Sequence, residues 1–315
     1  MNIIPSVNLQ DFISGDADRK QKFIDEIGKA YEEIGFVALK GHFLDEQLVD
    51  NLYSEVKNFF ELPLEIKEGY EIPGIGGQRG YVSFGKESAK GKKEGDLKEF
   101  WHFGQYVENS PVLAKEYPEN VTVTELPGFN AAGKQTFRML EKTAKYVLRA
   151  LALHLDLEET YFDAFIHNGN SILRPIHYPP ITEEPKAAVR AAAHGDINLI
   201  TLLMGAQGRG LQVQNNAGEW VDAIAEEDEL MINVGDMLSR HTNNKLKSTI
   251  HRVINPPKEL WGTSRYSIPF FMHPVSEMKL DVLESCIDDN NPKAFEDITA
   301  GEFLNQRLIE LGLKK

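Results

Sequence analysis

Apolar positions in the first half of the chain recur every three to four residues. In "DRKQKFIDEIGKAYEEIGF", Phe23, Ile27, Ala30, Tyr31 and Ile34 fall on one helical face. Gly35 supplies a stop, and "FVALKGH" then reads as a strand. "DEQLVDNLYSEVKNFFELP" repeats the helical pattern through Leu48, Leu52, Val56, Phe59 and Phe60, ending at Pro63. A long helix is predicted near 130–155, carried by Phe137, Leu140, Ala144, Val147 and Leu151, and a shorter one near 157–167. Between Pro63 and the long helix, residues 71–98 are rich in glycine and lysine and show no period, which predicts a long loop.

From about residue 171 the pattern changes. Short β-rich runs ("SILRPIHY", "AAVRAAAHGDINLITLLM", "GLQVQN", "EWVDAI", "ELMINVG", "STIHRVIN", "RYSIPFFMH") alternate with turn sequences such as "NNAG", "HTNNK" and "NPP". Many short strands with tight turns predict an antiparallel sandwich or barrel rather than βαβ units. A last helix is predicted in "AGEFLNQRLIELGL". The expected class is α+β with a β-rich core, flanked by N-terminal helices and one C-terminal helix. No linker-like segment separates an N-terminal region (1–125) from the remainder (126–315), so the two are expected to share one core.

Composition narrows the partners. Acidic residues (48) outnumber basic ones (34), giving a net charge of −14. That disfavours binding to nucleic acid or an anionic membrane, both of which need a positive surface. Cys286 is the only cysteine, so no intramolecular disulfide is possible. The start "MNIIPSVNLQDF" lacks a signal-peptide pattern and no run approaches a membrane span, so a cytoplasmic protein is expected.

Candidate chemistry begins at "AHGDINLITLL", where His194 and Asp196 stand at the edge of an apolar run. Read as strand residues, they present both side chains on one face by strand alternation. His251, in the apolar run "KSTIHRVIN", offers a third ligand. Two histidines and one carboxylate on one side of an octahedron leave positions open, the arrangement of non-haem iron(II) oxygenases. Zinc is an alternative occupant, and so is a pair of buried histidines with a turn-capping aspartate.

Downstream, "TSRYSIPFF" places Arg265 and Ser267 on one strand face. A guanidinium fork with a hydroxyl beside it suits a carboxylate. An internal salt bridge would satisfy the arginine equally. "GIGGQRG" at 74–80 lacks the spacing of a dinucleotide loop.

Taken in order, His194-x-Asp196, His251 and Arg265-x-Ser267 resemble the 2-oxoglutarate- and iron(II)-dependent oxygenases, in the isopenicillin N synthase-like branch. "IPSVNLQDF", "GFVALKGH", "HYPP" and "NVGDML…KLKSTIHRV" extend the likeness over most of the chain. The resemblance implies a double-stranded β-helix (jelly roll). It implies iron(II) held by His194, Asp196 and His251, and 2-oxoglutarate bound by Arg265, Ser267 and Tyr178. O2 would be the oxidant and ascorbate a reductant. The reaction implied is oxidative decarboxylation of 2-oxoglutarate coupled to oxidation, by default hydroxylation, of a small molecule. Ile176 stands where related plant enzymes carry an asparagine.

Strand parity and the resemblance together point to Phe271, His273, Arg190, Arg174 and Tyr81, with Phe84 beside it, as substrate-side residues. Two alternatives stay open. One is an oxidase of the isopenicillin N synthase kind that does not use 2-oxoglutarate, since such enzymes also carry the Arg-x-Ser pair. The other is a non-catalytic jelly-roll binding protein. A monomer or weak homodimer is expected, with no nucleic-acid or membrane partner.

Overall fold

The computed structural model describes residues 4–86, 96–185, 189–205 and 210–310. Its strands, in chain order, are β1 (Ser6–Asn8), β2 (Phe36–Lys40), β3 (Gly80–Val82), β4 (Glu99–Gly104), β5 (Ile172–Leu173), β6 (Ile176–Tyr178) and β7 (Ala191–His194). There follow β8 (Ile200–Met204), β9 (Leu211–Gln214), β10 (Trp220–Asp222), β11 (Leu230–Val234), β12 (His251–Val253) and β13 (Arg265–Met272). The larger sheet runs β1-β2-β11-β8-β13-β5-β4-β3, with β6 joining β13 to β4. The smaller sheet runs β10-β9-β12-β7.

The apolar helical patterns become buried faces. The helix Ala17–Glu33 starts at Asp16, whose carboxylate accepts from the Asp18 and Arg19 amides. It buries Phe23, Ile27, Ala30 and Tyr31. Gly35 follows at φ +72°, where a Cβ would lie 2.1 Å from the Lys247 carbonyl oxygen, so only glycine turns the chain into β2 there. The helices Glu46–Phe60 and Pro127–His154 pack against each other and against the outer face of the larger sheet. A second apolar cluster, with Phe36, Met231, Val213 and Val253, fills the space between the two sheets.

Three expectations need correction. The predicted helix near 157–167 is reduced to Asp163–Ile166, because residues 159–162 form turns instead, between positive-φ residues Asp156 and Asn168 that bracket the segment. The predicted loop at 71–98 contains β3, which pairs with β4 and buries Tyr81 against Phe59; residues 87–95 lie outside the described part. The run "AAVRAAAHGDINLITLLM" is two strands in different sheets. β7 ends at His194 in the smaller sheet, and β8 begins at Ile200 in the larger one.

β1 to β4 all lie in the larger sheet, so the N-terminal region shares its hydrogen-bond ladder with the C-terminal region. Among the described residues, no helix is long and apolar enough to cross a membrane.

Candidate metal centre

The crossing between the sheets carries the candidate metal ligands. β12 pairs with β7 so that His251 stands directly opposite His194, and their rings lie 4.5 Å apart. Asp196 sits in the turn after β7, not on the strand. Strand alternation is therefore not what joins it to His194; the turn folds its carboxylate back under both imidazoles. Asp196 Oδ1 lies 3.9 Å from His194 Nε2 and 3.8 Å from His251 Nε2. One ligand atom from each residue falls within a 4.8 Å cluster.

Hydrogen bonds set each ligand's state. The Nδ1–H of His194 donates to the Ala192 carbonyl at 2.7 Å, and that of His251 to the Thr249 carbonyl at 3.2 Å. Both bonds leave Nε2 with its lone pair toward the centre. Asp196 Oδ2 accepts from Thr201 Oγ1 at 2.6 Å and from Asn233 Nδ2 at 2.8 Å. Oδ1 is thus the oxygen offered to a metal.

Burial alone would raise the Asp196 pKa, but the two histidines and these two donors outweigh it and hold it below the ordinary carboxylate value. Burial, then the neighbouring His251, push the His194 imidazole down to about 4, although 45% of its side chain stays open to the pocket. A carboxylate and a neutral imidazole at neutral pH are the forms that bind metal. The set fits iron(II): two nitrogens and one oxygen on one side, with no thiolate near.

The second group lies on β13 and β6. Arg265 pairs in register with Tyr178, and Ser267 with Ile176. The Arg265 guanidinium lies 5.4 Å from the Tyr178 ring centroid. Its Nη1 is buried with no hydrogen-bond partner, and Arg265 forms no ion pair with any described residue. An internal salt bridge among the described residues is thus excluded as its purpose. A cation, a hydroxyl and a phenol fit the carboxylate of 2-oxoglutarate.

The substrate-side expectations divide. His273 is half-buried and close enough to the centre to feel Asp196. Burial pushes its imidazole down to about 4, with Asp196 opposing and Arg174 adding to the shift. The Arg174 guanidinium lies 4.5 Å from the Phe100 ring centroid and 5.1 Å from that of Phe271. Its Nε–H donates to His102 Nε2, while His102 Nδ1–H donates to the Gly77 carbonyl. Phe271, His273 and Arg174 thus form one wall.

Arg190 is not part of that wall. It precedes β7 and turns its guanidinium to 5.5 Å from the Tyr178 ring centroid. Tyr81 also departs from expectation. Its hydroxyl donates to Glu99 in a buried cluster with Lys67 and His177, because its place in β3 opposite Trp101 directs it to the helix-packed face. Phe84 is half-exposed. Sequence reasoning missed Thr201, Asn233 and His102, each of which acts through another side chain. Cys286 is buried, and burial raises its thiol pKa, as suits an inert residue.

Residues 4–125 match the family model described as the N-terminal region of the non-haem dioxygenases in morphine synthesis, and residues 169–274 that of the 2OG-Fe(II) oxygenase superfamily. A solved Caulobacter crescentus structure, described as of the 2OG-Fe(II) oxygenase family, is 41% identical, with a TM-score of 0.90 over 99% of this chain and 100% of that one. The chain belongs to the 2-oxoglutarate- and iron(II)-dependent oxygenases. Its fold is therefore that superfamily's jelly roll. A full-length Neurospora crassa protein, solved in complex with alpha-KG, is 30% identical, with a TM-score of 0.84 over 97% of this chain and 96% of that one. A curated relative, the proline hydroxylase buaE of Petromyces alliaceus, is 29% identical over 98% of this chain and 99% of its own length. This oxygenase is an oxidoreductase whose cofactor and cosubstrate are iron(II) and 2-oxoglutarate.

Proposed function

We propose that the enzyme couples decarboxylation of 2-oxoglutarate to hydroxylation of a small molecule, with regions 1–125 and 126–315 acting as one catalytic unit. His194, Asp196 and His251 hold iron(II). Arg265 and Ser267, with Tyr178, bind the cosubstrate's distal carboxylate. Bound iron supplies O2 activation. The protein's own tasks are to hold two imidazoles by their Nδ1 bonds, aim Asp196 Oδ1, and neutralise the cosubstrate. Phe271, His273 and Arg174 present the substrate to the centre, with an aromatic face and a cation oriented by His102.

One observation carries the reading. A half-buried arginine, its Nη1 buried and without an anion, stands on the strand that also bears Ser267, in a protein with a complete two-histidine, one-carboxylate set. An oxidase that dispensed with 2-oxoglutarate would need another anion for Arg265, and the family's cosubstrate is the anion at hand. A non-catalytic binding protein would have no use for three converging ligands, whose burial is costly without a metal.

The test is anaerobic. Iron(II) and 2-oxoglutarate added together should give a weak visible charge-transfer band. Admitting O2 should then yield succinate, faster when the correct substrate is present. No band and no succinate would overturn the proposal.

A further inference from the structure

Two arginines, Arg190 buried and Arg265 half-buried, face Tyr178. Arg265 approaches the ring at 5.4 Å from β13, and Arg190 at 5.5 Å from the segment before β7. Arg190 is only 5% exposed. Its Nε is buried with no partner, as is Nη1 of Arg265. Among the described residues, neither guanidinium makes an ion pair or a hydrogen bond. The two charges also act on each other: burial, then Arg265, lower the Arg190 pKa.

Such a pair is unfavourable by itself. Each cation has lost part of its water, and each repels the other. The faces of one phenol ring relieve this only in part. An anion reaching both guanidinium groups would relieve it fully, and Tyr178 and Ser267 add hydroxyl donors to the same place. Arg190 therefore belongs with the cosubstrate and not with the substrate wall of Arg174 and Phe271.

We propose that Arg190 is a second cosubstrate-binding arginine, which with Arg265 clamps the distal carboxylate of 2-oxoglutarate. This rests on the cosubstrate reading of Arg265, Ser267 and Tyr178. It has a corollary: the clamp is an anion site in its own right, able to hold a plain dicarboxylate in metal-free protein.

Two measurements test it on the full chain. In the first, 2-oxoglutarate is titrated anaerobically into the iron(II) protein and the charge-transfer band is followed. Arg190→Met should raise the 2-oxoglutarate Kd at least tenfold and leave the iron(II) Kd within twofold; Arg190→Lys should recover part of the loss. In the second, metal-free protein is melted with glutarate or with its uncharged diamide. Glutarate alone should raise the wild-type Tm, and both Arg190→Met and Arg265→Ala should abolish that rise.

If Arg190→Met does not fold, Arg190→Lys still decides the matter, since a point charge cannot reproduce the fork and its Kd should rise severalfold. Wild-type 2-oxoglutarate affinity in either variant, with Arg265→Ala impaired, overturns the Arg190 assignment and leaves the cosubstrate reading intact. A wild-type protein that gives no band overturns both.

Discussion

Thr201 Oγ1 donates to Asp196 Oδ2 at 2.6 Å, and this bond, with that from Asn233, leaves Oδ1 as the oxygen for the metal. Thr201 stands on β8 of the larger sheet, five residues beyond the aspartate it orients. Removing the hydroxyl while keeping the shape tests its role. Thr201→Val should weaken iron(II) or cobalt(II) binding by about tenfold or more, the usual cost of losing a partner that orients a ligand. Metal titration of the apo protein measures this, and unchanged affinity would assign the orientation to Asn233 alone.

Arg265 offers a separation of two affinities. Arg265→Ala removes charge-assisted bonds to the cosubstrate, worth about 1.5–3 kcal/mol each. The 2-oxoglutarate Kd should rise by roughly tenfold to a hundredfold, with iron(II) binding unchanged. Equal loss of both would mean that Arg265 supports the metal strands instead.

The half-buried His273 makes stability depend on pH. Its folded pKa of about 4 lies below the ordinary histidine value of 6.5, so between them the unfolded chain binds the extra proton. Stability contributed by the neutral ring is complete above pH 6.5, declines as pH falls through that value, and is lost by about pH 4. At about 1.4 kcal/mol per pH unit the loss for His273 is at most about 3 kcal/mol. Urea melts of metal-free wild type and His273→Gln at about pH 7 and about pH 5 should show a smaller acid loss in the variant. His194 titrates in the same window and contributes less, because its ring is partly open to solvent.

Glu99 anchors the cluster behind Tyr178. Its carboxylate accepts from Lys67 Nζ at 2.8 Å and from His177 Nδ1 at 2.7 Å, with Tyr81 as a third donor. Glu99→Ala strands a buried lysine and should cost about 3–5 kcal/mol. The pair Lys67→Met with Glu99→Gln should cost clearly less, since no buried charge remains. Chemical denaturation of the three proteins settles the order.

What the sequence disclosed depended on how local the governing physics was. The helices over 17–33, 46–60 and 127–154 follow from apolar spacing, because each packs one continuous face. His194 and His251 could be read from residue type and apolar setting. Asp196 was found for an incomplete reason. Parity assumes that a strand continues, and a chain that leaves one sheet for another after His194 obeys turn geometry instead. The same failure misdirected Arg190, which precedes the strand whose alternation was used to aim it. Tyr81 was hidden because a glycine-rich segment gives no period, although β4 recruits part of it as a neighbouring strand. Arg79 shows the limit most plainly: wholly buried, it donates to the Gln78 carbonyl and lies against Gly104, a packing that no local pattern signals.

The crossing after His194 has a thermodynamic consequence. Two ligands hang from the smaller sheet, while the third is tied by Thr201 and Asn233 to the larger one. A bound ion therefore rivets the halves of the sandwich together. Its binding energy is then folding energy, growing as RT ln(1 + [metal]/Kd). Chelation should open the smaller sheet first, seen as faster amide exchange in β7 and β12 than in β8 and β11. In a cell short of iron, this enzyme would become easier to unfold and degrade, so that its abundance would follow the supply of its own metal.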